Sequence, residues 1–359
     1  MPTDLNNLAM HLKNADADNA YTLPATLYTN PQHLADEYKH IFEKTWQLIG
    51  HESQLQNSGD QIIAQVGRIP IVAVRTQEGL LKAFHNVCRH RAGPVALENN
   101  NSKVLRCKYH GWTYTLDGQL KSAPEMESTP NFDVCQYHLP QAKITTWQGF
   151  VFVSMSDEVE DIETVFQSIQ QTIMPIDLKA MEYHHTDEYT INCNWKVYMD
   201  NYLEGYHLPH VHPGLSKILD YRSYTTELAE WFSYQHSPIT NTSDNNIYAD
   251  GDAHYYCVFP NLMLNILPNR LQTNVILPDG HDKTKVIFNY YYADIDSEIT
   301  KKLITEDLDF SDEIQQEDID ICEKVQLGLN SGSYEAGRLC MKRESGVLHF
   351  QNLVRRFLR

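Results

Sequence analysis

Apolar positions along the chain change their spacing twice, and each spacing predicts a different kind of element. After Asn30-Pro31 they recur at helical intervals, which predicts a first helix. From about residue 47 to 155, short β-rich runs alternate with Gly, Asn, Asp and Pro, with Asp117-Gly118 as a candidate hairpin turn, so a small all-β domain is expected there. The predicted strands are Gln61–Val66, Pro70–Arg75, Leu80–Phe84, Lys103–Cys107, Trp112–Leu116 and Trp147–Val153.

Beyond residue 155 helical and strand patterns mix. The predicted helices are Asp161–Ile173, one after Asn194 that carries Asp200 to His207, and Leu308–Leu329; the predicted strands are Thr186–Ile191, Tyr255–Ile266, Gln272–Leu277 and Lys285–Tyr292. This order predicts an α+β protein with a segment at 1–46 whose helix packs on the last domain, a β domain at 47–155 and a mixed domain at 156–359.

Composition narrows the class of protein. The 359 residues are 42% hydrophobic and carry a formal net charge of -18, so we expect a large core and no binding to nucleic acid or to an anionic membrane. No apolar run approaches the roughly 18–20 residues of a membrane span, and the first residues do not resemble a signal peptide. Seven scattered cysteines argue against a disulfide framework, so a reduced, cytoplasmic protein is expected.

Two Cys-His pairs form the first candidate site. Sixteen residues separate the first pair, Cys88 and His90, from the second pair, Cys107 and His110. Each pair lies beside a short predicted strand and before a glycine. Two thiolates and two imidazoles could bind tetrahedral zinc, or a [2Fe–2S] cluster with both histidines on one iron. The surrounding domain has apolar strands of its own and needs a structural zinc less. The remaining alternative is that the four residues bind no metal and belong to the core.

The stretch from Asp200 to His212 is the second candidate site. On a helix Asp200, Glu204 and His207 would share one stripe, and Pro209 would break that helix and return His212 toward it. Two histidines beside carboxylates indicate an iron site that needs one more ligand.

The predicted last helix offers that ligand. Asp318 interrupts a stripe formed by Ile314, Ile321, Val325 and Leu329, and a buried carboxylate is costly unless it meets a cation. This favours Asp318 over Glu317, Asp320 and Glu323, which we expect to point elsewhere. A buried salt bridge is the alternative explanation.

The two motifs together resemble the ring-hydroxylating oxygenase family. C-R-H-R-A-G followed by C-K-Y-H-G-W-T-Y is similar to its Rieske signature, and the resemblance implies that Cys88 and Cys107 bind one iron while His90 and His110 bind the other. N-Y-L-E-G-Y-H-L-P-H-V-H and E-D-I-D-I-C-E-K-V-Q-L-G-L match the family's catalytic motifs. They imply a mononuclear Fe(II) held by His207, His212 and Asp318, with His210 as a bystander. The implied fold is a small Rieske domain joined to a helix-grip (START-like) domain with an antiparallel sheet and a long C-terminal helix.

The resemblance also assigns Glu204. In the family a carboxylate at this position connects the Rieske histidine of a neighbouring subunit with the histidine of the mononuclear iron. Glu204 would then bond His110 across a subunit interface and His207 in its own chain, which implies a homo-oligomer, most often a trimer. Asp200 has no role in this scheme beyond helix electrostatics or support of the site.

The expected electron donor is a separate NAD(P)H-dependent reductase or ferredoxin. No G-x-G-x-x-G fingerprint for a dinucleotide occurs in the chain, which agrees with an external donor. Arg89, Arg91 and Lys108 border the Cys-His loops and could form a local basic spot for an acidic partner. Besides the donor, the expected partners are O2 and a small-molecule substrate.

Three further motifs bear on the class of substrate. F-P-N-L-M-L-N, L-Q-T-N-V-I-L-P and the last-helix motif resemble the choline monooxygenase branch, which oxidises quaternary ammonium compounds such as choline, glycine betaine and carnitine. Such cations suit an aromatic cage. Candidate cage residues are Trp231, Phe232, Tyr255, Tyr256 and Phe259. An aromatic-ring dioxygenase or demethylase, and a non-catalytic Rieske electron carrier, remain alternatives.

Overall fold

The chain forms two compact units in its computed structural model, which describes residues 14–215, 223–239, 247 and 251–359. One unit is Tyr38–Glu163; the other combines the residues up to Glu37 with Thr164–Arg359.

The Tyr38–Glu163 unit is built from β strands. Seven of them form a sheet in the order β1-β10-β9-β4-β3-β2-β5, and β6, β7 and β8 form a small second sheet. Their bounds are β1 Gln47–His51, β2 Asp60–Val66, β3 Ile69–Arg75, β4 Leu81–His85, β5 Asn100–Asn101, β6 Leu105–Arg106, β7 Thr113–Tyr114, β8 Leu120–Ser122, β9 Gln141–Trp147 and β10 Phe150–Ser154. The predicted all-β character is confirmed.

A hairpin replaces one predicted strand of this unit. Trp147–Val153 was expected to be continuous, but Gln148 and Gly149 have positive φ angles of 51° and 86° and turn β9 into β10. Two successive positive φ values are typical of the two-residue turns that join antiparallel strands. The turn at Asp117-Gly118 lies between β7 and β8 as expected.

The second unit contains a seven-stranded antiparallel sheet in the order β11-β17-β16-β15-β14-β13-β12. Its strands are β11 Glu182–Ile191, β12 Thr225–Leu228, β13 Phe232–Pro238, β14 Asp252–Val258, β15 Leu262–Leu267, β16 Arg270–Pro278 and β17 Thr284–Tyr292. The predicted strand Tyr255–Ile266 is therefore two strands, β14 and β15, which the turn at Phe259-Pro260 separates. Sequence reasoning did not find β12 and β13.

The α-helices of the described residues have the following bounds: α1 Thr26–Thr29, α2 Pro31–His40, α3 Ile162–Val165, α4 Ile169–Thr172, α5 Trp195–Tyr202, α6 Leu208–Val211, α7 Glu298–Asn330 and α8 Ser345–Phe357. The predicted helix 161–173 is broken into α3 and α4, with Ser168 at a positive φ of 62° between them. The last predicted helix corresponds to α7 but begins ten residues earlier, and α8 was missed. The predicted α+β class, with an antiparallel sheet and a long helix near the C-terminus, is confirmed.

Candidate metal centres and substrate cavity

Two loops of the β unit carry the Cys-His pairs. Cys88 follows β4, and Cys107 lies between β6 and β7. Both thiols are buried, and the Cys88 Sγ lies 3.3 Å from the Tyr114 hydroxyl. A Cβ on Gly93 would approach the Cys107 Sγ to 2.9 Å, so the glycine lets the first loop pass close to the second thiol.

Both histidines of the pairs lie at the surface ends of these loops. His90 and His110 are exposed, with ring centroids 4.6 Å apart, and Trp112 stacks on His90 at 4.9 Å. Buried thiols at the base and exposed imidazoles at the tip fit a binuclear cluster that both residue types could hold.

The donor geometry separates the two metal readings. Within the described residues, the group of three donors that could hold one metal ion is His207, His212 and Asp318, and the four Cys-His donors do not form such a group. A tetrahedral zinc with bonds of about 2.0–2.3 Å needs its ligands gathered around one point. Burial also raises the pKa of the Cys107 thiol, so a thiolate there requires a cation. The residues fit a cluster better than a single ion.

Three donors from distant parts of the chain converge in the other unit. The Asp318 Oδ1 lies 3.0 Å from His212 Nε2 and 3.9 Å from His207 Nε2, and the two imidazole centroids are 5.1 Å apart. His207 precedes α6, His212 follows it, and Asp318 lies on α7. Two imidazoles and one carboxylate form the donor set that non-haem iron uses when coordination positions remain open.

The local backbone differs from the expected helix. α5 ends at Tyr202, so Asp200, Glu204 and His207 do not share a helical stripe, and Pro209 stands in the first turn of α6 rather than ending a helix. The Glu204 carboxylate accepts hydrogen bonds from the backbone N–H groups of Tyr206 and His207. These N–H groups therefore have a partner other than the carbonyl groups of a helix.

Each imidazole of this group is held by a carboxylate on its Nδ1 side. Glu204 Oε1 lies 2.7 Å from His207 Nδ1, and Glu317 Oε2 lies 2.7 Å from His212 Nδ1. This arrangement directs both Nε2 atoms toward Asp318, where the three side chains could bind one metal ion. Glu317 therefore does not point elsewhere as predicted, and its long side chain reaches the site from the position beside Asp318.

Charge at the site favours a bound cation. Burial lowers the pKa of His212, but the hydrogen bonds and charges of Asp318 and Glu317 outweigh it and raise that pKa. Asn201 Nδ2 donates to Asp318 Oδ1 at 2.6 Å, which orients the carboxylate. The predicted stripe on the helix is only partly correct, since Val325 is 45% exposed while Leu329 is buried.

A cavity of about 170 Å³ adjoins the three donors. Its wall includes His207, His212 and Asp318 together with six aromatic side chains: Tyr198, Tyr202, Tyr224, Tyr255, Phe288 and Phe310. An aromatic wall beside an open metal position can hold an apolar or a cationic substrate.

Most of the predicted aromatic cage lies elsewhere. Only Tyr255 of the five candidates lines the cavity. Tyr256 is its neighbour on β14 and therefore faces the other side of the sheet, where its ring lies 5.4 Å from Phe232. Trp231 and Phe259 pack on Phe357 of α8. The cage built on Trp231, Phe232, Tyr256 and Phe259 is wrong.

His210 and Asp200 stand apart from the donor group. His210 is exposed on α6. Asp200 accepts hydrogen bonds from Tyr28 Oη at 2.7 Å and Gln351 Nε2 at 3.0 Å. Burial raises the Asp200 pKa to about 7, although these bonds oppose the shift.

Family models match both units. The Rieske [2Fe-2S] domain matches residues 45–133, and the ring-hydroxylating alpha subunit catalytic domain matches residues 178–359. The chain belongs to the Rieske ring-hydroxylating oxygenase alpha subunit family. It is a Rieske-type oxygenase, an oxidoreductase, and its cofactors are a [2Fe–2S] cluster and a mononuclear iron.

The relatives place it near one branch of that family. The chain is 35% identical over 356 residues to the chloroplastic choline monooxygenase of Arabidopsis thaliana, covering 94% of this chain and 83% of the relative. It is 29% identical to the carnitine monooxygenase oxygenase subunit of Escherichia coli (strain K12), covering 95% and 94%.

Solved structures agree with these matches. The quaternary ammonium Rieske monooxygenase CntA in complex with L-carnitine superposes with a TM-score of 0.83 at 26% identity, covering 97% of this chain and 100% of that one. Naphthalene 1,2-dioxygenase from Rhodococcus sp., at 16% identity and a TM-score of 0.77 over 94% of each chain, shares the fold.

Within the described ranges, none of the helices has the length and apolarity that crossing a membrane requires.

Proposed function

We propose that this protein is the terminal oxygenase component of a two-component system that hydroxylates, or oxidatively demethylates or cleaves, a quaternary ammonium compound. The observation that carries the proposal is the aromatic cavity beside the three donors. The names of the relatives, choline monooxygenase and carnitine monooxygenase, support the same substrate class.

The cavity suits a trimethylammonium group for an electrostatic reason. The faces of aromatic rings carry negative potential, and a desolvated cation near such a ring gains about 2 kcal/mol. Tyr224 and Tyr255 stack in this cavity with centroids 6.3 Å apart, and Glu204 and Asp318 also contribute to its wall.

The ligand assignment is part of the proposal. Cys88 and Cys107 would hold one iron of the cluster and His90 and His110 the other, while His207, His212 and Asp318 would hold the mononuclear iron. When bound, the two groups supply electron storage and oxygen activation. The chain orients the iron-binding imidazoles through Glu204 and Glu317 and surrounds the substrate with aromatic side chains.

Glu204 would also connect neighbouring subunits. The carboxylate already bonds His207 in its own chain, and we infer a second bond to His110 of a neighbouring subunit in a homotrimer. A relative, CntA, is described as transferring electrons between subunits, which supports an oligomer.

The electron donor would be a separate NAD(P)H-dependent reductase or ferredoxin. Arg89, Arg91 and Lys108 are all exposed around the Cys-His loops, and their charge would favour an acidic partner there. A cytoplasmic location also belongs to this proposal; the plant relatives are chloroplastic and E. coli is bacterial.

Oxygen consumption tests the substrate class. Holoprotein with a reductase should consume O2 and NADH together when choline, glycine betaine or carnitine is added, and benzoate should give no coupled consumption. Coupling only with aromatic acids would establish the aromatic oxygenase instead. A full complement of about two irons per chain, with no coupling to any substrate, would indicate an electron carrier.

A further inference from the structure

The sheet side of the cavity is polar although it is buried. Asn265 on β15 and Arg270, Gln272 and Asn274 on β16 all line the cavity, and each side chain is less than 8% exposed. Buried polar groups are costly unless a partner satisfies them. A pocket for a purely apolar substrate would place aliphatic residues on these inward positions.

Arg270 is fixed in place by its neighbours. Its Nε donates to Asp307 Oδ2 at 2.7 Å, and its Nη2 donates to Gln272 Oε1 at 2.5 Å. The Tyr292 hydroxyl donates to the same Asp307 oxygen at 2.6 Å. The guanidinium therefore stands rigidly at the cavity wall.

Gln272 retains an unused donor. Its carbonyl oxygen accepts from Arg270, whereas its amide NH2 donates to no atom in the described ranges of the chain. The residue is 5% exposed and lines the cavity, so a bound molecule is the available acceptor. A neighbouring guanidinium and amide NH2 match the two oxygens of a carboxylate.

The aromatic and polar parts of the cavity lie at different positions across the sheet. Tyr255 on β14 is paired with Asn265 on β15, which is paired with Gln272 on β16. Two strand spacings correspond to about 10 Å between the backbones of Tyr255 and Gln272. A molecule with a cationic head and an anionic end could contact both parts at once.

From this arrangement, and resting on the proposed function, the geometry points to a carboxylate subsite formed by Arg270 and Gln272. The substrate is then a betaine-type zwitterion, a quaternary ammonium compound with a carboxylate, rather than an amino alcohol. Choline would leave the Gln272 donor without an anionic acceptor.

Ligands that differ at one end test the subsite. Glycine betaine and choline share a trimethylammonium head and differ in a carboxylate against a hydroxymethyl group; γ-butyrobetaine is a longer carboxylate. Calorimetry on anaerobic holoprotein should show that the better of the two carboxylates binds about tenfold to a hundredfold more tightly than choline.

Gln272→Glu provides the decisive variant because it keeps an acceptor for Arg270 and adds a negative charge to the subsite. We expect it to weaken carboxylate binding about tenfold or more and to change choline binding less than threefold. Gln272→Met, which removes both the donor and the acceptor for Arg270 without adding charge, should weaken only the binding of carboxylates, and by a smaller factor. Asn289→Asp is the matched control, since Asn289 neighbours the cavity-lining Phe288 on β17 and faces the other side of the sheet.

The outcomes separate the two proposals. If wild-type protein binds choline as tightly as the carboxylates, or if Gln272→Glu weakens both classes equally, the carboxylate subsite is refuted while the quaternary ammonium assignment stands. Absence of binding by every trimethylammonium ligand overturns the proposed function, and with it the subsite.

Discussion

At the scale of single residues, the imidazoles of the donor group owe their orientation to carboxylates. Glu317 bonds His212 Nδ1 at 2.7 Å and so keeps Nε2 available. Partners of this kind contribute about 10- to 100-fold to metal affinity.

Glu317→Gln should therefore weaken binding of the mononuclear iron about 10- to 100-fold, because an amide makes the imidazole less basic. Ferrous iron titration of protein stripped of the mononuclear iron measures this. Asp320→Asn removes the same charge from an exposed position on α7 and should leave the affinity unchanged. Equal affinities for the two variants would contradict a supporting role for Glu317.

The raised pKa of Asp200 leads us to expect that the stability of the protein depends on pH. The folded pKa of Asp200, about 7, lies above the ordinary value of 3.8, so the folded protein keeps a proton that the unfolded chain has lost. Stability from this group is complete below about pH 4 and declines as the pH rises toward 7.

The Asp200→Asn variant has no carboxyl group that could ionise. Its free energy of unfolding, relative to that of the wild-type protein, should rise by about 2 kcal/mol between pH 5.5 and pH 8, as measured by urea unfolding at each pH. A constant difference would show that Asp200 is ionised throughout. Asp320→Asn, at an exposed site, should show no such trend.

The candidate ligand residues were the feature of this molecule that the sequence predicted best. The Cys-His pairs, His207, His212 and Asp318 could be named because their residue types and spacing carry the chemistry, and the structure brings the last three together. Glu317 could not be found, because helical periodicity places its Cα off the stripe and only the reach of the side chain brings it to His212.

At the scale of elements, a buried ion pair joins the N-terminal segment to α5. Lys196 Nζ lies 2.5 Å from Glu37 Oε1, both side chains are at most 1% exposed, and Trp195 Nε1 donates to the second Glu37 oxygen at 2.7 Å. Burial lowers the Lys196 pKa, and the Glu37 charge opposes this shift.

Lys196→Met should destabilise this unit by about 3–5 kcal/mol, since it leaves a buried carboxylate without its cation. Adding Glu37→Gln should recover most of that loss, because the amide oxygen can still accept from Trp195. Thermal and urea unfolding of the two variants measure both values. If the double variant is as unstable as Lys196→Met alone, the packing of the lysine rather than its charge is what matters.

Element boundaries were less predictable than the motifs. The Asp200–His207 stretch reads as a continuous helix, yet Glu204 binds backbone N–H groups beyond Tyr202 and the helix ends. The misplaced cage has a similar origin: adjacent aromatic residues on a strand face opposite sides, and only the strand register decides which one meets the cavity.

At the scale of the whole molecule, the proposed trimer makes a prediction about mixed subunits. If Glu204 bridges His207 and His110 of a neighbouring subunit and electrons pass across that bridge, a chain with an intact cluster can serve a different chain with an intact mononuclear site. Co-expression of His110→Ala and Asp318→Ala chains should therefore restore turnover that neither variant shows alone. If electron transfer were confined to one chain, the mixture would be as inactive as each variant alone. The control is a chain that carries both His110→Ala and Asp318→Ala, which should be inactive.

We assign the cluster and the mononuclear iron to separate sets of residues. Iron analysis combined with EPR of the reduced protein tests this assignment most directly. Wild-type protein should contain about three irons per chain and Asp318→Ala about two, with the same Rieske signal in both. An Asp318→Ala protein that keeps its third iron, or that loses the Rieske signal while remaining folded, would contradict the assignment.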